Sequence, residues 1–286
     1  MSKKLDEIKK LVVFSKKDIA GTNIVKILMD KFNFVKTDEI FDDNPIYEKD
    51  DISIVGCRND AIHLKYLNVF KPEICVFASR HKSESEKPTL TCHSPGNFST
   101  AEAGGNEREL SIAPALYLHK AMNLLKIYGG SLPHNGYDIS FEVTHHGPTN
   151  LSFPVIFVEV GSSEKQWNDN SACEVVSCVI YEILTNKIQD VQDVQEVKIP
   201  TAIGFGGPHY APNFTKISDK IATGHIAPKY AVDFLNKEMI EQMINKTIPK
   251  PDFAVLDWKG LRGSERRNII KILDDLGVEW KKTSDF

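Results

Sequence analysis

The chain has 286 residues, of which 41% are hydrophobic and 26% charged. Those proportions suit a globular protein that can bury a sizeable core without disulfides or a structural metal. A formal net charge of −4 argues against a protein that coats nucleic acid non-specifically, although a local basic surface would be enough to grip one end of an RNA. No stretch approaches the roughly 18 apolar residues of a bilayer span, and the charged opening Met1 to Glu7 has no apolar segment behind it. A soluble, cytoplasmic protein is therefore expected, with no membrane or DNA partner.

In chain order, Leu11-Val12-Val13-Phe14 reads as a short buried strand, followed by a polar turn and a helix marked by Ile24, Ile27, Leu28 and Phe32. Ile52 to Val55 and Ile74 to Ala78 are two further buried-strand candidates. The Gly-, Ser-, Asn- and Glu-rich stretch from Ser94 to Ser111 predicts a long surface loop. From Tyr137 to Thr144 the residues alternate, with Ile139, Phe141 and Val143 on one face and Ser140, Glu142 and Thr144 on the other. Val155 to Val160 reads as a strand, and Asn168 to Ser171 as the polar start of a helix running from Ala172 to Leu184. Thr201 to Phe205 and Phe253 to Leu256 are later strands. Val232, Leu235, Met239 and Met243 predict one helix; Ile269, Ile272, Leu273 and Leu276 predict another, closed by Gly277. Strands alternating with helices throughout predict a single α/β domain over residues 1–286, with a mixed or mostly parallel sheet flanked by helices.

The five cysteines are scattered and form no Cys-x-x-Cys pair, which is reduced-compartment usage and offers no cysteine-based zinc site. The nine histidines are distributed more tellingly. His93, His145, His146, His209 and His225 lie in Gly- and Pro-rich motifs, and His81 follows a predicted strand. Open α/β sheets bind ligands at the carboxyl ends of strands, so these loops can converge on one crevice. Such a cluster suits general acid–base work or metal-assisted hydrolysis, because neutral imidazoles bind zinc. His81, His93, His145, His209 and His225 are the candidate zinc ligands. For each, a hydrogen-bonded structural role is the competing reading; in a strand His145 and His146 would point to opposite faces unless the backbone turns at Gly147-Pro148. His63, His119 and His134 lack such context and are read as structural or exposed.

Glu142 and Glu159 sit on β-rich runs and could be general bases or metal ligands, against the usual fate of an acid on a half-buried strand, which is solvation; Glu142 or His146 would move the proton. Gly206 and Gly207 could present amides to an oxyanion or phosphate, or simply form a tight turn. Lys259 could meet a phosphate or leaving hydroxyl, or sit in solvent. Two groups of cations, Lys3, Lys4, Lys9 and Lys10, and Lys259, Arg262, Arg266, Arg267 and Lys271, could touch nucleic acid or be solvated faces. His81-x-x-Glu84 matches the ligand spacing of one class of zinc carboxypeptidase. There is no His-Glu-x-x-His or Gly-x-Ser-x-Gly, which argues against a zincin or a serine esterase of the α/β-hydrolase type.

Taken together, Ser79-Arg80-His81, Thr91 to Asn97, Glu142 to Thr149, Phe157 to Ser162, Gly204 to Pro212, Gly224 to Tyr230 and Leu256 to Gly260 form an ordered set. That set resembles the D-aminoacyl-tRNA deacylase family of archaea and plants. The resemblance implies a phosphorylase- or hydrolase-like α/β fold, an association with zinc, and hydrolysis of the ester between a D-amino acid and the terminal ribose of tRNA. The acceptor end of D-aminoacyl-tRNA would then be the partner, with no obligate protein partner. In that setting Ser94, Gly96, Asn97, Gly206, Gly207, Tyr210 and Lys229 are expected to contact substrate, while Glu142, His146 and Lys259 serve catalysis. Two alternatives stand beside it: a zinc-dependent amidohydrolase or carboxypeptidase-like enzyme on small substrates, and a non-catalytic binder of nucleotides or tRNA ends.

Overall fold

The computed structural model describes residues 5–132, 136–185 and 198–286. Its strands in chain order are β1 (Lys10–Ser15), β2 (Val35–Phe41), β3 (Asn44–Lys49), β4 (Ile52–Cys57), β5 (Ile74–Lys82), β6 (Thr89–His93), β7 (Ala113–Pro114), β8 (Asp138–Phe141), β9 (Val155–Ser162), β10 (Thr201–Phe205), β11 (Ala222–Ala227), β12 (Thr247–Ile248), β13 (Phe253–Leu256) and β14 (Trp280–Lys282). The helices are α1 (Ile19–Phe32), α2 (Ala115–Gly129), α3 (Glu164–Trp167), α4 (Asn170–Thr185), α5 (Pro212–Lys216), α6 (Lys237–Asn245) and α7 (Gly263–Asp275).

Eight strands form one sheet in the order β2-β3-β4-β1-β5-β9-β6-β8, and β11-β10-β13-β14 form a second, all-parallel sheet. The central strands β4, β1, β5 and β9 are parallel and covered on both faces, hence their unbroken apolar runs. The α/β class expected from the sequence is thus what the chain adopts. Helix α1 is capped by Asp18, whose carboxylate accepts from Gly21 N–H, and ends at Asn33 in the left-handed region. Its buried stripe of Ala20, Ile24, Val25 and Leu28 lies on the sheet, and a side chain at Gly21 would meet Ala78 O at 2.6 Å, so the helix and β5 can approach this closely only at glycine. Helix α2 packs between the two sheets, and Leu118, Ala121 and Met122 share one core with Val158 of the large sheet and Ile226 of the small one. No helix among the described residues is long and apolar enough to cross a membrane.

Four expectations are corrected. The stretch from Ser94 to Ser111 is not a surface loop: Ser94, Asn97, Phe98, Leu110 and Ser111 are buried, and only its tip around Glu102 and Glu107 reaches solvent. Its ends are tied by the Gly96–Leu110 bridge and by Asn97 Nδ2, which donates to Gly104 O and Asn106 O. The strand expected to reach Thr144 stops at Phe141: Glu142 N–H still donates to Cys92 O of β6, but Val143 and Thr144 turn to bond the loop at His209 and strand β11. The single helix predicted over Val232 to Met243 is two: a 3-10 turn over Lys229–Phe234, then α6, capped by Asn236. His225 lies within β11, not in a loop.

Candidate active site

At the centre stand two carboxylates, Glu142 just past β8 and Glu159 within β9, with only 1% and 2% of their surface exposed. Burying a carboxylate is costly unless charged partners surround it, and here the partners are histidines from separate segments. His81, near the end of β5, places Nδ1 at 3.0 Å from Glu142 Oε1 and 3.7 Å from Glu159 Oε2. His93 ends β6, with Nε2 at 3.7 Å from Glu159 Oε2. His145 Nε2 and His209 Nε2 lie 3.3 and 3.0 Å from Glu142 Oε2. His146 completes the cluster, its ring centroid 4.8 Å from that of His93 and 4.3 Å from that of His145. Tyr210 Oη is hydrogen-bonded to His81 Nε2 at 2.9 Å.

The clustered histidines do converge from strand carboxyl ends, as the sequence suggested, but those strands do not all run the same way. Strands β6 and β8 run antiparallel to β9, so His93 reaches the cluster opposite Phe157 while His81 enters opposite Gly161, with Glu159 between them. The Glu142–His146 segment is held on both sides: Val143 N–H donates to His209 O, and Thr144 N–H to Ile226 O. His146 itself has φ 45°, a conformation few non-glycine residues adopt, and is pinned there by Gly96 N–H donating to His146 O at 2.8 Å. That bend lets both adjacent histidines face the cluster, resolving the opposite-face problem that a continuous strand would pose.

Electrostatics divide the histidines into two kinds. Burial works against the charged form of His81, but its contacts with Glu142 and Glu159 outweigh this and raise its pKa to about 11. His93 is raised likewise, chiefly through Glu159 acting against burial. Conversely, burial reinforced by neighbouring histidines lowers His145 well below its ordinary value and His146 to about 4, so both are neutral near pH 7. His145 Nδ1 donates to Val143 O and His146 Nδ1 to Gly147 O, which leaves an Nε2 lone pair on each. Burial would push the Glu142 carboxyl up, but His209 and His81 prevail and hold it well below the usual carboxylate range.

The cluster opens into a pocket of about 380 Å³ lined by Asp18, Ser79, Arg80, His145, His146 and His209 among others. A larger cavity of about 750 Å³ is lined by Tyr210, Lys87, Lys126 and Lys216 and by no histidine; chemistry favours the smaller one. Three groups have donor atoms within 4.8 Å of one another: His93, His145 and His146; His81, Glu142 and His209; and His93, Glu142 and Glu159. Both ring nitrogens of His93 are buried without a hydrogen-bond partner among the described residues.

Other candidates are not brought here. His225 is fully buried, with Nε2 at 2.9 Å from Ser111 O and Nδ1 at 3.1 Å from Thr144 Oγ1, and belongs to none of the three groups. Ser94 donates to Val155 O, and Gly96 and Asn97 hold the buried loop, so all three support the site from behind. Gly206 N–H is already spent on Ala227 O, which removes it as an oxyanion donor. Gly207 takes Lys229 N–H on its carbonyl; Lys229 and Lys259 are exposed outside the cluster. Glu84 is exposed and shares no ligand group with His81, so the His-x-x-Glu spacing is not assembled. His63 is exposed and His119 half-buried beside Ile221 O; His134 lies outside the described residues.

Sequence reasoning gave Asp18 and Arg80 no role in the site, and weighed Glu159 as a base or ligand only against solvation. One signal was present: Val155-Ile156-Phe157-Val158-Glu159-Val160 is a strand buried throughout, and an acid in such a run requires partners.

Comparison with known proteins identifies the family. A family model described as D-aminoacyl-tRNA deacylase matches residues 69–281. A protein of that name from Thermococcus kodakarensis is 38% identical over 280 residues, covering 95% of this chain and 98% of its own. Another from Methanocaldococcus jannaschii is 35% identical over 282 residues, covering 96% and 100%. A crystal structure of a conserved protein of unknown function superimposes with a TM-score of 0.86 at 27% identity, covering 97% of this chain and 96% of the other. The chain therefore belongs to the D-aminoacyl-tRNA deacylase family of enzymes.

Proposed function

We propose that this protein hydrolyses the ester joining a D-amino acid to the terminal ribose of tRNA, releasing both in the cytoplasm, where its free cysteines stay reduced. The single observation that carries the reading is the pair of buried carboxylates ringed by five histidines at the base of a pocket, in a chain of this family. The residues fit zinc: His93 has two buried nitrogens with no hydrogen-bond partner among the described residues, and His145 and His146 have neutral rings with Nε2 lone pairs. His145 and His146 would hold the ion together with His93, which would give up the proton that Glu159 favours in the absence of metal. Zinc there would supply Lewis-acid polarisation and lower the pKa of water toward about 7.

Glu142 stays ionised beside His209 and His81, and its place at the centre of the cluster lets it take the proton of the attacking water. His81, charged, fixes the position of that carboxylate through Nδ1 and orients the Tyr210 hydroxyl through Nε2. Because an aminoacyl ester is already reactive, the site's main demand is rejection of the L-isomer, which needs a clash at the α-carbon more than added affinity.

The test is release of amino acid from D-tyrosyl-tRNA and L-tyrosyl-tRNA, with and without chelator, by wild type and His146→Ala. Rapid loss of the D-form alone, abolished by chelation and by the folded variant, is expected. If well-folded, zinc-loaded protein spares both isomers, the deacylase reading fails; full activity of His146→Ala would remove that residue from the mechanism.

A further inference from the structure

The second sheet ends in a feature that the cluster chemistry does not use. Between residues 259 and 282 the chain carries seven Lys or Arg against four Asp or Glu, although its overall charge is −4. Where this segment meets the end of β13, Trp258 stacks nearly parallel to Trp280, with ring centroids 5.8 Å apart. Arg266 Cζ lies 4.4 Å and Lys282 Nζ 4.5 Å from the Trp258 ring centroid. Arg266 Nη1 also donates to Trp258 O at 2.7 Å, so one half-buried indole sets the direction of two cations.

Many cations of the described surface are neutralised: Lys10 by Asp51, Lys31 by Glu174, Arg58 by Asp42 and Asp43, Arg262 by Asp233 and Glu265. Among the described residues no carboxylate lies within ion-pair distance of Lys259, Arg266 or Lys282. The position matters as much as the charge. A side chain at Gly260 would come within 3.3 Å of Gly207 N, so the Trp258–Gly260 turn abuts the loop that carries His209 and Tyr210 into the active site.

We propose that the face formed by Trp258, Lys259, Arg266 and Lys282 docks the phosphate backbone of the tRNA acceptor end and guides its 3′ terminus into the histidine pocket. This rests on the deacylase reading for the identity of the RNA. Unpaired cations beside the site of an otherwise acidic protein are what a polyanionic substrate requires, since neutralising phosphates releases counterions. Trp258 acts as a positioning residue: holding the guanidinium and ammonium in place reduces the side-chain freedom lost on binding.

The experiment measures affinity for uncharged tRNA against salt concentration, by fluorescence anisotropy, together with KM and kcat on D-tyrosyl-tRNA. For the double variant Lys259→Glu/Lys282→Glu, we expect affinity to fall at least tenfold and KM to rise in step, with kcat largely retained. The slope of log affinity against log salt should flatten by about one for each cation lost. Trp258→Phe should keep most of the affinity that Trp258→Ala loses. As a contrast, Lys87→Glu/Lys216→Glu alters the larger cavity and should bind tRNA as the wild type does. Unchanged affinity and slope in the first double variant, or a loss confined to the second, would overturn the proposal. If these residues govern tRNA binding but D-tyrosyl-tRNA is not hydrolysed by the wild type, the docking face stands and the deacylase reading falls.

Discussion

Protonation of His225 should uncouple the scaffold behind the active site. The ring joins three distant segments. Nε2 faces Ser111 O, which can only accept, so the proton sits on Nε2; Nδ1 must then accept from Thr144 Oγ1, which itself receives Ile226 N–H. Thr144 immediately precedes His145 and His146. Burial lowers the pKa of His225 from 6.5 to about 4, outweighing its bond to Ser111. The sign follows: between those values the unfolded chain binds a proton that the folded one refuses. Stability is fully present above pH 6.5 and is lost as pH falls toward 4. At about 1.4 kcal/mol per pH unit, the whole fall amounts to about 3 kcal/mol. The assay is urea unfolding from pH 7.5 to 4.5 for wild type and His225→Gln, an uncharged side chain that can still donate toward Ser111. Other histidines titrate in both proteins, so the difference between the two curves isolates His225. The variant should be the less stable at pH 7.5, and the gap should close as pH falls. Parallel curves across the range would refute the argument that this ring is buried neutral.

Two further substitutions test the cluster and its support. Glu142→Gln keeps shape but removes the negative charge that His81, His145 and His209 surround; kcat on D-tyrosyl-tRNA should fall at least about 100-fold with a small change in KM, and retention of activity would exclude Glu142 as the base. In Gly96→Ala the new methyl would sit 2.7 Å from both Leu110 Cδ2 and Thr144 Cγ2, a clash that should destabilise the fold by about 1–3 kcal/mol. Because Gly96 N–H also holds the carbonyls of His145 and His146, kcat should drop in protein that remains folded, and wild-type unfolding with wild-type kcat would show that the backbone there yields easily.

The sequence revealed most where burial is symmetrical. Strands β1, β4, β5, β9, β10 and β13 are covered on both faces and read as unbroken apolar runs, and Gly277, with φ 67°, follows α7 as anticipated. The hairpin of β2 and β3 left no such trace. Val35 and Ile40 are 68% and 69% exposed on this edge, and its turn is made by Asp42 and Asp43 in the left-handed region, not by glycine. The active site shows the same division. Loop histidines beside Gly and Pro are conspicuous in a sequence, but partner choice is a property of tertiary structure. His225 has the same kind of local motif as His209, yet a position inside β11 directs both its nitrogens to Ser111 and Thr144, while the loop after β10 carries His209 to Glu142. Composition cannot separate these two cases, because their difference lies in which backbone oxygens and carboxylates happen to face the ring. A buried acid is the better guide. Glu159 sits inside an apolar strand where an unpaired carboxylate could not persist, so its presence alone demanded that cationic or metal-binding groups gather around it.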